Sequence, residues 1–179
     1  MKAILLATMI AYTGGNIYLF VRSLQQMSGM PVWVKVMFGV IFWVVAFALF
    51  VALGARNVDM PEVVARTMFR VGSAWMVFLL YMVLALLVVD MVAWVGLKIP
   101  YRFWVSLVLC LIVLVTGHYR YKHPKVNVVP LSFDKECAHS NPLTIVAVSD
   151  VHLGEGTGRK ALARYVDLIN AQHPDVIVI

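Results

Sequence analysis

Long apolar runs fill the first part of the chain, separated by short breaks that carry basic residues, glycine or proline. Four of them, 3–21, 36–54, 74–97 and 101–117, meet or approach the length of about 20 apolar residues that a helix needs to cross the hydrocarbon core of a bilayer. The fourth is the shortest and starts directly after Pro100. The first reads as a permanent span and not as a cleaved signal peptide. Its apolar run is longer than the roughly 7–15 residues of a signal core, and no small-x-small cleavage site precedes Arg22.

After Gly117 the pattern breaks. His118, Tyr119, Arg120, Tyr121, Lys122, His123, Pro124 and Lys125 form an aromatic and basic collar of the kind found where a span leaves the membrane. It opens a juxtamembrane linker over 118–142. Within the linker, Val126, Val128, Leu131 and Phe133 alternate with other residues and predict a strand, which Pro130 confines to an edge or a bulge. The run 143–149 is short, apolar and β-branched, the signature of a buried strand. From about Arg159 the period changes to that of a helix, with Leu162, Tyr165, Val166 and Ile169 on one face and Lys160, Arg164 and Asp167 on the other. That helix should stop before Pro174, and Val176, Ile177, Val178 and Ile179 predict a second buried strand.

Strand, helix and strand at this spacing predict a right-handed crossover between parallel strands. The fold class is therefore mixed: a four-helix transmembrane region over 1–117, then, over 143–179, the first βαβ unit of an incomplete α/β domain. Two buried parallel strands need further strands beside them and helices on both faces. The sequence thus reads as a fragment whose soluble piece should not fold stably or perform its chemistry alone.

Composition agrees with the membrane reading. Hydrophobic residues make up 62% and charged residues 13% of the 179, and the mean hydropathy is +0.87, against about half and a quarter in water-soluble domains. A single soluble domain and a disordered tail are excluded, and two cysteines, Cys110 in an apolar run and Cys137, do not make a disulfide scaffold. The net charge of +6 is read by position, as orientation before any nucleic-acid partner, and none is expected. With four spans, Lys2, Arg56, Arg66, Arg70, Arg120, Lys122 and Lys125 share one side, and Arg22, Lys35, Lys98 and Arg102 the other. Seven against four makes the first side, with the C-terminal part, cytoplasmic; removing one span would reverse this.

Polar residues inside the spans are candidates for function. Asp90 lies in the second half of the third run, where an acid could bind a cation, relay protons or pair with Lys98 or Arg102; the structural alternative is a packing contact with Asn16 or Thr13. Gly14, Gly15 and the small residues of the second run suit close helix packing.

The residues with chemistry stand at the end of the first predicted strand, in Ser149-Asp150-Val151-His152-Leu153-Gly154. Ligands of open α/β sheets bind at the carboxyl ends of strands. If the backbone stays extended, Asp150 and His152 project to the same side and can reach one divalent cation, as an oxygen and nitrogen pair suited to Zn, Mn or Fe. The alternative is a helix-capping Asp and a solvent-exposed His. Gly154-Glu155-Gly156-Thr157-Gly158 reads as the turn from strand to helix, with a flexible substrate rim as the other reading. Dinucleotide binding does not fit: the spacing is G-x-G-x-G, and Asp150 and Glu155 would repel a pyrophosphate.

The run 144–154, Thr-Ile-Val-Ala-Val-Ser-Asp-Val-His-Leu-Gly, resembles the opening block of the calcineurin-like metallophosphoesterases, Asp-x-His after a β-strand. The stretch 170–179, Asn-Ala-Gln-His-Pro-Asp-Val-Ile-Val-Ile, is similar to the segment that leads into that family's Gly-Asp motif. The resemblance covers about 36 of the 179 residues. It implies an α/β sandwich with a two-metal centre, in which Asp150 and His152 are ligands of the first metal, and two divalent ions, Mn, Fe or Zn, as cofactors. The bridging aspartate, the Asn-His motif and the later histidines of the family would fall beyond Ile179, and no general acid is visible.

Two cations about 3.5–4 Å apart activate a bridging water and neutralise the charge of an in-line displacement. The expected activity is hydrolysis of a phosphomonoester or phosphodiester, as a phosphatase or phosphodiesterase, on a substrate that the bilayer anchor brings close, such as a lipid-linked one. The rival class is a membrane sensor or transporter with a regulatory or inactive phosphoesterase-like domain, for which Asp90 is the main support.

Overall fold

The structure is a computed structural model and describes residues 2–54, 60–132, 142–151 and 158–179. It divides into two compact units, Met1–Lys122 and His123–Ile179.

The first unit consists of four helices: α1 (Lys2–Gln26), α2 (Val32–Gly54), α3 (Glu62–Trp94) and α4 (Arg102–Lys122). Among the described residues, α2, α3 and α4 are long and apolar enough to cross a membrane. The 25-residue α1 packs with them as the fourth helix. Two boundaries differ from the hydrophobic pattern. α3 begins at Glu62, well before residue 74, because the polar side chains of 62–73 recur at helical spacing; Glu62 and Arg66, four apart, form an ion pair in its first turn. Its 33 residues make a rod of about 50 Å, longer than the hydrocarbon core of about 30 Å. α4 runs on to Lys122, so the first residues of the basic collar are helical, and Arg120 and Lys122 in its last turn oppose the negative end of the helix dipole. Arg56, Cys137 and the rest of 133–141 lie outside the described residues.

Side-chain pairs fix the helix directions. Tyr12 reaches Ala46 while Phe20 stacks on Phe38, so α1 and α2 run antiparallel. Gly72 meets Leu49 while Trp75 meets Phe42, and Asp90 meets Arg102 while Phe78 meets Cys110, so α3 opposes both α2 and α4. Leu19, Phe42, Leu79, Met82, Leu86 and Cys110 form the common core. The tightest approach is at Gly72. A Cβ there would lie 2.2 Å from the backbone nitrogen of Leu49, beside the buried small residues Ala46, Ala48 and Ala52 of α2. Of the two glycines picked out in α1, Gly15 makes ordinary contact with Leu79 and Val83, whereas nothing lies near Gly14.

Polar groups tie the helices together. The buried amide of Asn16 accepts a hydrogen bond from the Trp75 indole at 2.9 Å and donates to Tyr12 O, and the Tyr12 hydroxyl donates to Ala46 O at 2.6 Å. Asp90 accepts from Tyr18 at 3.0 Å and from Arg22 at 3.2 Å, with the Arg102 guanidinium 3.6 Å away. Pairing with Arg102 was among the alternatives that the sequence left open. Asn16 serves Trp75 instead, and Arg22, on α1, is a partner that the sequence did not suggest.

The second unit holds β1 (Ile145–Ala147), α5 (Arg159–Asn170) and β2 (Val176–Val178). The two strands pair in parallel, Ile145 with Val176, Val146 with Ile177 and Ala147 with Val178. Both strands expose their apolar side chains, Ile145 at 56% and Ile177 at 48%, where the pattern of the sequence predicts burial. Among the described residues, one helix and the segment 124–129 leave part of a two-stranded sheet uncovered. Residues 124–132 form no strand, contrary to their alternation, since β1 and β2 bond only to each other among the described residues and an edge strand needs a ladder to join.

Candidate metal centre

β1 ends at Ala147, and the ladder reaches one residue further, where Val148 N donates to Val178 O at 2.8 Å. At the opposite end of the sheet, Thr144 N donates to the Asp175 carboxylate at 2.8 Å, and Asp175 N and Val176 N both donate to Thr144 O. This side chain bond closes the amino end of the pair, and Ser149 and Asp150 follow the opposite, carboxyl end. Asp175 has this role for a reason the sequence states only as a position: it directly precedes the second strand.

Beyond the ladder the chain turns at Asp150, which sits in the left-handed region at φ 58°. Aspartate is among the few residues that take this conformation readily, because its short carboxylate can bond locally. The extended backbone that would aim Asp150 and His152 the same way therefore does not continue through Asp150. His152 lies outside the described residues, as do Leu153, Gly154, Glu155, Gly156 and Thr157. Gly158 is the N-cap of α5, with ordinary extended backbone and no side-chain cap.

Asp150 lines a cleft of about 620 Å³ that runs along the whole of β1 and its flanks, from Leu143 to Val151, between α5 and the segment 124–129. Tyr165 and Gln172 of α5 and Lys125 of the linker share its wall. Tyr165, Leu168, Ile169 and Gln172 follow one another at helical spacing, and Val166, expected on this face, is 43% exposed while Leu168 takes its place. Lys125 was read as part of the membrane collar; its place in the cleft had no signal in the sequence, because the return of 124–129 along β1 is a tertiary contact. The cleft therefore joins one acid, one ammonium group, a phenol, the amides of Asn127 and Gln172 and the hydroxyls of Thr144 and Ser149 among apolar side chains.

The donor chemistry of Asp150 and His152, a carboxylate and an imidazole, suits a borderline divalent cation. Two donors fall short of the four to six, roughly, that such an ion requires. Among the described residues no cluster of three His, Cys, Asp or Glu side chains supplies the rest. The pair fits a metal as part of a site that other residues must complete.

Comparison with known proteins agrees with the resemblance carried by 144–154 and 170–179: the chain is similar to membrane-associated metallophosphoesterases. It is 43% identical over 56 residues to a zebrafish (Danio rerio) protein named as a transmembrane protein with a metallophosphoesterase domain, a match over 31% of this chain and 13% of that protein. It is 32% identical over 80 residues to a Caenorhabditis elegans protein named as a metallophosphoesterase, over 44% of this chain and 17% of that one. The matched stretches thus span only a small part of these relatives. No family model matches the chain. No solved structure matches it.

Proposed function

We propose that the whole protein is a membrane-anchored, metal-dependent phosphoesterase that hydrolyses phosphomonoesters or phosphodiesters, and that this chain carries its four spans and the opening of its catalytic domain. The observation that carries this reading is Asp150, at the carboxyl end of β1 and in the wall of a cleft, within a segment that resembles the metallophosphoesterases. Asp150 and His152 would hold the first of two divalent ions, Mn, Fe or Zn. Bound there, the metals supply Lewis-acid activation of water and neutralise phosphoryl charge. The remaining ligands come from outside this chain's described residues. In the register of β1 and β2, each position of the first strand lies beside one 31 further on, so a second acid placed just past Ile179 would stand next to Ser149 and Asp150.

The chain's own residues do two further things in this reading. Lys125 lines the same cleft and would supply an ammonium group to a phosphate oxygen bound there. The α1–α4 bundle holds the domain at the cytoplasmic membrane surface and so raises its concentration near a membrane-presented phosphoester. The rival reading, a sensor or transporter, draws on Asp90, whose pairing with Arg22, Arg102 and Tyr18 accounts for that acid as a tie between helices.

The test is hydrolysis by the full-length protein in vesicles. We expect turnover of a phosphoester lipid that chelation abolishes and Mn, Fe or Zn restores, with a lower rate on the same headgroup in soluble form. No hydrolysis of either form in any of the three metals contradicts the proposal.

A further inference from the structure

An open groove of about 1040 Å³ runs along the outer surface of α1 and α2. Phe20 and Trp43 wall it, Met68 of α3 closes its far end, and Gly39 forms its floor. A Cβ at Gly39 would lie in ordinary contact with the Phe20 ring, at 3.5 Å, so a small side chain fits on this floor and a large one would fill it. From Lys35 to Val51 the groove follows α2 for about 24 Å, more than the roughly 15 Å of one leaflet's hydrocarbon. Its lining is apolar except at one end, where Lys35 stands in the first turns of α2. The Lys35 ammonium donates to Ser28 O at 3.3 Å, which uses one of its three N–H groups.

A shallow hydrocarbon groove on the outer face of two helices that ends in a cation is complementary to one kind of molecule. We infer that this groove holds a single phospholipid with an anionic headgroup, an acyl chain lying along Gly39 and Trp43 and the phosphate on Lys35. A second copy of the chain would instead need an apolar partner over the whole length of the face, and the ammonium at its end would then lose water without gaining a counter-charge. This site is separate from the cleft at Asp150 and does not depend on the proposed phosphoesterase activity.

The test is native mass spectrometry of the chain purified in mild detergent and exposed to phosphatidylglycerol or phosphatidylcholine. The expected result is one retained phosphatidylglycerol per chain, not displaced by glycerol phosphate, because the acyl chain contributes most of the binding. Gly39→Phe should lower retention of both lipids at least tenfold by filling the channel. Val40→Trp, at an outward position 59% exposed, should do the same if Gly39→Phe does not fold. Lys35→Gln should keep the lipid but lower the preference for phosphatidylglycerol about fivefold, the factor expected for one basic group near an anionic headgroup. Equal retention of the two lipids by the unaltered chain, displacement by glycerol phosphate, or unchanged retention in the filled-groove variants would overturn the inference. So would disulfide-linked dimers of Val44→Cys that form while no lipid is retained.

Discussion

At Gly72 the absence of one carbon decides how closely two helices pack. Leu49 backbone atoms occupy the space a Cβ would need, and backbone cannot swing aside as the end of a side chain can. Gly72→Ala should therefore separate α2 from α3 and destabilise the bundle by about 1–3 kcal/mol, the usual cost of overpacking. Gly14→Ala, with nothing within 4 Å inside α1, is the control and should not destabilise the bundle, raising stability by at most about 1 kcal/mol. Thermal unfolding of the chain in detergent checks both, and an equal effect of the two substitutions would contradict the packing described. Gly72 was not legible in the sequence. It stands in a stretch with Arg66 and Arg70, so the hydrophobic pattern gave no reason to look there for a helix contact, whereas the adjacent Gly14 and Gly15 drew attention as a pair. Asp90 was half legible: an acid in an apolar run must find partners, and Arg102 was within reach in sequence, but Arg22 belongs to a different helix whose rotation only packing determines.

Elements were readable where one period ran uninterrupted. α2 starts and ends near the limits of its apolar run, α4 starts near the limit of its own, and α5 lies where Leu162, Tyr165 and Ile169 mark a face. The parallel pairing of β1 with β2 follows from the helix between them. The pattern failed in two ways. Helices extend past the apolar run wherever charged residues continue the helical period, as at the start of α3 and the end of α4, because a helix end in the headgroup region is not limited by hydrophobicity. Alternation at 125–131 predicts a strand but cannot supply a partner for it, and the segment instead lies along the cleft without joining the ladder. At the candidate centre, the residue type and its place at the carboxyl end of a strand were legible. The left-handed turn at Asp150 was not, since aspartate is compatible with both extended and left-handed backbone.

For the whole molecule, the reading of α1 as a fourth span beside α2, α3 and α4 has a consequence that labelling can read. The amino end of α1, the break between α2 and α3 and everything after Lys122 should face one side of the membrane. On our reading of the basic residues, that side is the cytoplasmic one. In a cysteine-free background, Lys125→Cys should react with an impermeant thiol reagent only from the cytoplasmic face, and Lys98→Cys only from the opposite one. Labelling of both from one face would mean that α4 does not cross the membrane.

The central claim concerns two side chains, and metal content tests it most directly. In the full-length protein, purified and dialysed against trace Mn, Fe and Zn, Asp150→Asn and His152→Ala should each lower bound metal by about one ion per chain, while their helical content stays that of the unaltered protein. Asparagine is the informative replacement at 150, because it tolerates the same left-handed backbone and removes only the charge. Metal content that stays equal to the unaltered protein's in both variants would contradict the assignment of Asp150 and His152 as ligands.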